Sequence, residues 1–145
     1  MPATATDLAD PAVIAGDLRV VLGQLVRRLR ATHRLPLPQA IALGRLERDG
    51  PQSVSDLAAA ERLRPQSMAQ TVNELEADGL VTRWPDPGDR RRALVDLTAE
   101  GREMILADRR QREGWLATAI ARDLSDDEQA SLERAVALLR RLADA

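Results

Sequence analysis

The sequence predicts a mainly α-helical protein of six helices and one short β-hairpin. Apolar residues recur at helical spacing over most of the 145 residues, and they are almost all aliphatic, because the chain has two Trp and no Phe or Tyr. Residues 80–97 break this pattern with two short apolar runs around a Pro-Asp-Pro-Gly turn, which predicts the hairpin. The length suits one integrated domain, expected over residues 11–145, behind a disordered lead at residues 1–10.

Three helices are expected in the N-terminal part of the chain. The first spans about residues 11–32, because leucines recur along one of its faces. The second opens near Pro38, where a proline suits the first helical turn, and stops at Gly50. The third is short and follows Ser53, whose spacing to Asp56 resembles a capping box with a shortened acidic partner.

The fourth helix is expected to begin at Pro65 and to end at Gly79. It leads directly into a first strand at residues 80–84, and the returning strand follows at residues 93–97. A short capped helix, a turn, a second helix and a hairpin, in this order, form the layout of a winged helix-turn-helix with a two-stranded wing. We therefore assign residues 37–97 to a winged helix-turn-helix region.

Two helices are expected after the hairpin. Thr98 is a suitable N-cap for a long fifth helix that reaches about Arg122. Ser125 and Glu128 have the spacing of a capping box, which predicts the start of the sixth helix.

The first and the sixth helix each carry an apolar stripe, although a chain of this size has a limited core. The stripes either pack within one chain or interdigitate with those of a second copy. We favour a homodimer, since most soluble oligomers are two-fold dimers and the first stripe has coiled-coil spacing. A helical dimerisation region is therefore expected at residues 11–36 and 98–145, with contacts through Leu18, Leu22, Leu25, Leu132, Val136 and Leu139.

The fourth helix has two distinct faces. Met68, Val72 and Leu75 share one face and are expected to enter the core. The opposite face is rich in Gln and Asn, whose amides pair a donor with an acceptor and match the edge of adenine. The alternative is that this face is merely solvated, but its position between a turn and a hairpin favours DNA contact. The residues expected to contact DNA are Arg64, Pro65, Gln66, Ser67, Gln70, Thr71 and Asn73.

Three consecutive arginines, Arg90, Arg91 and Arg92, follow the Pro-Gly turn. Strand alternation predicts that Arg90 and Arg92 share one side of the hairpin and that Arg91 takes the other. Asp89 is close enough to pair with one of them and to hold its guanidinium in a set direction. Such arginines suit a narrow minor groove, although charge runs at hairpin tips are commonly just solvated. Asp89, Arg90 and Arg91 are the predicted DNA contacts of the wing.

Composition argues against several function classes. The absence of Cys excludes disulfides and thiol chemistry, and a single His makes a metal site unexpected. Neither a nucleophile-base pair nor a glycine-rich phosphate loop is recognisable, so we expect neither an enzyme nor a cofactor. No apolar run reaches the ~20 residues of a membrane span, and no signal peptide is visible, so a cytoplasmic protein without a membrane partner is expected. The net charge of −2 does not by itself indicate nucleic-acid binding.

The run at residues 89–101 resembles the wing signature of the multiple-antibiotic-resistance regulator (MarR) family: an Asp-x-Arg pair, a hydrophobic strand, then Leu-Thr-x-x-Gly. Residues 75–83 resemble the exit of the family's recognition helix, and residues 55–58 resemble its third helix. The resemblance implies a homodimer joined through the first and last helices. It also implies binding to pseudo-palindromic double-stranded DNA near promoters, mostly as a repressor. Arg91 is the position that it places in the minor groove, with Asp89 as its orienter.

The resemblance further implies release from DNA by a small aromatic or phenolic effector. The candidate lining residues are His33, Arg34, Met104 and Trp115, near the joints between the first, second and fifth helices. The alternative is that Trp115 is ordinary packing and that His33 is a loop residue. A DNA-binding transcriptional regulator, acting as a repressor, is the predicted function. A winged-helix protein-interaction module without DNA binding is the alternative, and it would be expected to carry apolar residues on the exposed face of the fourth helix.

Overall fold

A computed structural model describes residues 8–32 and 34–145. In this part of the chain, six helices and three strands follow one another, which confirms the predicted mainly α-helical winged helix-turn-helix. In chain order they are α1 (Pro11–Arg30), α2 (Leu37–Asp49), β1 (Gln52–Ser53), α3 (Val54–Ala60), α4 (Pro65–Ala77), β2 (Val81–Pro85), β3 (Ala93–Leu97), α5 (Ala99–Asp123) and α6 (Asp126–Ala143).

The predicted disordered lead meets the start of α1. Residues 1–7 of this lead lie outside the described residues, so disorder there stays a prediction. Asp10, its last residue, caps α1, because its carboxylate accepts a hydrogen bond from the backbone N–H of Ala12 at 2.9 Å.

The sheet has three strands in the order β1-β3-β2, whereas the sequence predicted only the two strands of the wing. β2 and β3 form the antiparallel hairpin, with Arg83 opposite Val95. β1 pairs with the other edge of β3, where Ser53 lies opposite Leu94. A strand of two residues has no periodicity to recognise, and its pairing with β3 connects the wing to the start of α3.

The core lies where α2, α3, α4 and the sheet meet α5. The face of α4 predicted to be buried is buried, since Met68, Val72 and Leu75 are almost completely inaccessible. They pack in one cluster with Leu43 of α2 and Ile105 of α5. Burying a side chain of this size contributes about 1.5–3 kcal/mol. The core therefore fixes which face of α4 points outward.

The junction between the wing and α5 is unusually close. Thr98 caps α5 by accepting from the backbone N–H of Gly101 at 3.1 Å, and its hydroxyl donates to the carbonyl of Gly79 at 2.7 Å. Gly101 is buried, and a Cβ placed on it would lie 1.9 Å from the carbonyl oxygen of Leu80. The glycine in the Leu-Thr-x-x-Gly run is therefore required by backbone contact, not by an unusual dihedral angle.

The stripes of α1 and α6 do not pack into this core. Neither helix, both fully within the described residues, has a buried residue. Leu22, Leu25 and Val136 are 41%, 39% and 46% exposed, and Leu18, Leu132 and Leu139 are only partly covered. Packing of the two stripes within one chain, the alternative considered for the sequence, is thus not found. None of the helices in the described ranges is long and apolar enough to cross a membrane.

Candidate nucleic-acid interface

The outer face of α4 is polar and accessible. Gln66, Ser67, Gln70 and Asn73 are all exposed on the side opposite the core. Arg64 is the N-cap, and its side chain cannot cap the helix because a guanidinium has no acceptor. Pro65 occupies the first helical turn, as predicted. The first turn of α4 therefore presents backbone N–H groups that no capping side chain occupies, which is a suitable environment for an anion.

Thr71 does not belong to this face. It is only 7% exposed, and its hydroxyl donates to the carbonyl of Ser67 at 3.1 Å. Thr71 lies three residues after Met68 and four before Leu75, so the helical period turns it toward the core. Its expected direct contact with DNA does not fit this placement.

Gln70 is oriented by a neighbour on the same helix. Its amide nitrogen donates to the carboxylate of Glu74 at 3.4 Å. The other carboxylate oxygen of Glu74 accepts from the amide of Gln39, on α2, at 3.3 Å. Gln70 keeps its carbonyl oxygen and one amide hydrogen free of these contacts, and these are the two groups that a bidentate contact to adenine uses.

Asn73 is held differently, by the wing. The guanidinium of Arg83, on β2, donates to Oδ1 of Asn73. The Nε atom of Arg83 also lies 3.3 Å from the carboxylate of Glu76. Because Arg83 already occupies the carbonyl oxygen, the amide NH₂ is the freer half of Asn73. The side chain is thus better suited to donate to a base acceptor than to make the expected bidentate contact with adenine.

The wing tip is a seven-residue connection shaped by two aspartates. The carboxylate of Asp86 accepts from the backbone N–H of Gly88 at 2.8 Å, and that of Asp89 accepts from the N–H of Arg91 at 3.0 Å. The N–H of Arg92 returns to the carbonyl of Asp89 at 3.0 Å, which closes a turn over residues 89–92. The predicted strand alternation of the three arginines is therefore wrong, because β3 begins only at Ala93.

Asp89 pairs with Arg91, as the resemblance implied. Their closest atoms, Nε and Oδ1, are 3.3 Å apart, and the side chain of Arg91 is 92% exposed. An ion pair this accessible contributes little to stability, about 0–1 kcal/mol. Its effect is on direction: the same carboxylate oxygen accepts from the backbone and the side chain of Arg91, which limits how the guanidinium leaves the turn.

Arg90 and Arg92 differ from Arg91 and from each other. Arg90 is exposed and has no acidic partner within 4.0 Å among the described residues. Arg92 reaches across to α3, where its guanidinium donates to Ser53 Oγ at 2.9 Å and to Asp56 Oδ2 at 2.7 Å. Asp56 thus does not complete the predicted capping box, although Ser53 does cap α3 by accepting from the N–H of Asp56 at 3.1 Å.

The turn between α3 and α4 contains a residue that the sequence did not single out. Arg62 has a positive φ of 53°, in the left-handed region that favours glycine. The N–H of Arg62 bonds to Ala59 and that of Leu63 to Ala58, at 3.2 and 2.9 Å, which is a Schellman ending of α3. Before this turn, Arg45 holds Glu61 at 2.8 Å. No signal for this helix end is present in the sequence, because glycine is the usual residue at such a position and an arginine stands there.

The three candidate effector residues that the structure describes, Arg34, Met104 and Trp115, do not line one cavity. His33 lies outside the described residues. Trp115 lines a cavity of about 650 Å³ between α1 and α5, where the guanidinium of Arg28 lies 5.5 Å from its ring centre. Arg34 and Met104 are not among the lining residues of this cavity. An effector site at these residues therefore stays a prediction.

Arg34 has a structural role beside the middle of α5. Its backbone N–H donates to the fully buried carboxylate of Asp108 at 3.2 Å, and its side chain donates to Gln111 at 3.2 Å. Arg112 lies 3.0 Å from the same carboxylate. A buried charge needs such partners, so Arg34 helps to anchor the segment before α2 onto α5.

A second ionic contact joins α2 to α5. Arg109 donates to the carboxylate of Glu47 at 2.5 Å. This hydrogen bond holds the pKa of Glu47 below its usual value, against a smaller opposing effect of desolvation. α5 is therefore attached to the winged helix-turn-helix region by apolar packing and by an ion pair. The described residues contain no group of three or more His, Asp or Glu side chains placed to hold a metal ion.

Comparison with known proteins agrees with this geometry. A family model described as MarR family matches residues 34–92, from before α2 to the end of the wing turn. An uncharacterized HTH-type transcriptional regulator of Mycobacterium bovis is 36% identical over 140 residues, covering 94% of this chain and 97% of that protein. The HTH-type transcriptional repressor NicR of Pseudomonas putida is 30% identical over 100 residues, covering 61% of this chain and 63% of that protein.

A solved structure agrees as well. The structure of a MarR family protein from Bacillus stearothermophilus superposes with a TM-score of 0.81 at 25% identity, covering 92% of this chain and 95% of that one. The fold, the helix-turn-helix with its arginine-tipped wing and these relatives lead to one conclusion. The chain belongs to the MarR family of winged helix-turn-helix, DNA-binding transcriptional regulators.

Proposed function

We propose that the protein is a homodimeric repressor that binds a pseudo-palindromic site in double-stranded DNA. One observation carries the proposal: a polar helix face and an arginine-tipped wing lie on one sheet-linked unit, while apolar faces on α1 and α6 stay uncovered in the single chain. A two-fold dimer covers the apolar faces and presents two such units, which is the arrangement that a symmetric operator requires.

In the proposed complex, α4 enters the major groove. Arg64, Pro65, Gln66 and Ser67 at its N-terminus meet the backbone and the first bases, where free N–H groups and a guanidinium suit phosphate. Gln70 reads a base with both halves of its amide. Asn73 donates from its NH₂ group while Arg83 occupies its carbonyl oxygen. Thr71 supports the helix from the core side and makes no base contact.

The wing supplies the second contact, in the minor groove. Arg91 is the main contact, because it is almost fully exposed and is directed by Asp89. Arg90 adds a positive charge without an acidic partner in the described part of the chain. The negative potential of a narrow minor groove favours such side chains.

The dimer is proposed to form through α1 and α6. Leu18, Leu22 and Leu25 contribute from α1, and Leu132, Val136 and Leu139 contribute from α6. Fully burying a Leu or Val side chain contributes about 1.5–3 kcal/mol, so leaving both stripes in water would be costly. A repressor role for this chain is supported by its likeness to NicR, whose name describes a repressor.

Release by a small aromatic or phenolic effector is proposed at the cavity between α1 and α5. Trp115 lines it with Arg28, whose guanidinium lies 5.5 Å from the ring centre, and Arg27 adds positive charge, whereas Arg122 is paired with Asp123 at 2.7 Å. Both helices belong to the proposed dimerisation region, so a ligand between them would alter the spacing of the two DNA-binding units. Binding of 4-hydroxybenzoate to a Trp84→Phe variant, in which Trp115 is the sole fluorophore, tests this: unchanged fluorescence at millimolar ligand would reject the cavity as its site.

The alternative, a winged-helix module that binds protein and not DNA, is not supported by α4. Its exposed face carries amides and a hydroxyl at Gln66, Ser67, Gln70 and Asn73, whereas a protein-docking face would be rich in apolar side chains.

Selection of bound duplexes from a random pool, followed by sedimentation of the complex, tests the proposed function. Enrichment of a two-fold symmetric site, bound by two chains per duplex, is the expected result. Enrichment of an asymmetric site, or of no sequence, would reject the proposal. The variant Asp78→Asn, which changes an exposed acid outside the proposed contacts, serves as a control and should select the same site.

A further inference from the structure

Arg92 connects the tip of the wing to the start of α3. It is the last residue of the wing connection, directly before β3. Its guanidinium donates to Ser53 Oγ at 2.9 Å and to Asp56 Oδ2 at 2.7 Å. Ser53 is both the N-cap of α3 and a member of β1. One arginine therefore joins the wing to β1 and to α3, the first helix of the helix-turn-helix.

The contact lies beside the residues proposed for DNA. Arg92 immediately follows Arg90 and Arg91, and its backbone closes the turn that carries them, through the bonds Arg92 N–H to Asp89 and Asp86 N–H to Arg92. A hairpin tip without such a brace would be free to swing about its two strands. Fixing its base on α3 limits the directions in which the tip can point relative to α4.

We propose that Arg92 is a positioning residue: by binding Ser53 and Asp56 it presets the direction in which Arg90 and Arg91 approach DNA, and it makes no DNA contact of its own. This inference rests on the proposed function, since the orientation of the tip affects binding only if the wing contacts DNA. The brace itself is a property of the free protein. A guanidinium is suited to this position because its planar fork serves two acceptors together.

The effect of removing the negative charge of Asp56 distinguishes a positioning role of Arg92 from a direct contact of Arg92 with DNA. If Arg92 bound phosphate, Asp56 would oppose it, and Asp56→Asn would tighten binding by removing a negative charge from the DNA-facing side. If Arg92 positions the wing, Asp56→Asn releases the brace and weakens binding although the protein becomes more positive. The two roles therefore predict opposite signs for the same substitution.

The experiment compares wild type, Arg92→Ala, Asp56→Asn and the exchanged pair Arg92→Asp with Asp56→Arg. The matched control is Asp78→Asn, which removes the same charge from the exposed end of α4, where the side chain holds no ionic contact within 4.0 Å in the described chain. Affinity for the selected duplex is measured by fluorescence anisotropy. Backbone amide exchange over residues 86–92 is measured in the free proteins, and circular dichroism verifies that each variant is folded.

Arg92→Ala and Asp56→Asn should each bind the duplex about three- to tenfold more weakly than wild type. In these variants the wing must be ordered when DNA binds, and the entropy lost in ordering it lowers the affinity. Both should exchange faster over residues 86–92, Asp78→Asn should do neither, and the exchanged pair should recover part of the loss. Asp56→Asn with equal or tighter binding would overturn the positioning role. Unchanged exchange in the free variants would overturn the brace. If wild type selects no duplex, the proposed function fails and the positioning role fails with it, whereas exchange still reports on the brace.

Discussion

Replacing Gly101 with alanine should destabilise the protein, whereas the same replacement at Gly114 should stabilise it. Both glycines lie in α5, so the two variants add the same methyl group to the same helix. A Cβ at Gly101 would lie 1.9 Å from the carbonyl oxygen of Leu80 and 2.9 Å from its carbonyl carbon. A Cβ at Gly114 would meet no atom within 4 Å.

The distances set the size and sign of each effect. Ordinary contact begins near 3.4 Å, so Gly101→Ala requires a backbone shift of about 1.5 Å in a packed interior. Overpacking typically costs about 1–3 kcal/mol and occasionally more, and a backbone obstacle places this case at or above the upper end. At Gly114 only the helix propensity changes, which favours alanine by about 1 kcal/mol.

Urea denaturation followed by circular dichroism measures both variants against wild type. The protein concentration must be the same throughout, since the stability of a dimer depends on it. A Gly101→Ala variant as stable as wild type would refute the proposed close approach of α5 to Leu80. A destabilised Gly114→Ala variant would instead indicate that α5 is covered there in the assembled protein.

The remaining predictions address binding, assembly and acid stability. Arg91→Ala should weaken binding to the selected duplex with helicity and dimerisation intact, and unchanged affinity in anisotropy would remove the wing from the mechanism. Gln70→Ala should change the sequence preference in a repeated selection more than the salt dependence of binding; the opposite pattern would mean that Gln70 contacts phosphate. Leu25→Glu should shift sedimentation from dimer to monomer, and an intact dimer would exclude α1 from the interface. Because Arg109 lowers the pKa of Glu47, the folded protein gains stability above the usual pKa of 4.5 and loses it as pH falls through the lowered value. Glu47→Gln should therefore melt at a lower temperature than wild type at about pH 7, and this difference should shrink as the pH falls below the usual pKa of 4.5; a difference that does not change with pH would contradict this assignment.

The starts of α4, α5 and α6 were predictable because each is encoded locally. The capping box of Ser125 and Glu128 is present in full, with hydrogen bonds of 3.3 and 2.8 Å, and Thr98 caps α5. The predicted start of α4 at Pro65 is confirmed. Caps and helix-starting prolines act within three or four residues, so their spacing in the sequence is sufficient evidence for them.

Contacts between distant residues were not predictable in this way. The bond of Arg92 to Asp56 spans 36 residues and depends on β1 pairing with β3, which no periodic pattern announces. Strand alternation was applied to arginines that lie in a turn, so it assigned their sides wrongly. Thr71 is a different case, because its spacing to Met68 and Leu75 already places it on the core side of α4.

The chain is acidic overall, yet this says little about the surface that DNA would meet. A net charge of −2 sums acids and bases over the whole molecule, whereas binding depends on which charges are unpaired near the ligand. Residues 126–128 are acidic, but they lie in the first turn of α6, outside the winged helix-turn-helix, where the helix dipole favours them. Arg62, Arg64 and Arg90 lie on the turn, the cap and the wing, and among the described residues none of them has an acidic partner within 4.0 Å. Three guanidiniums without an acidic partner thus lie on the winged helix-turn-helix of an acidic protein. Phosphate contacts from such arginines carry no sequence information, so in the proposed complex the discrimination between sites would have to come from base contacts by the amides of α4.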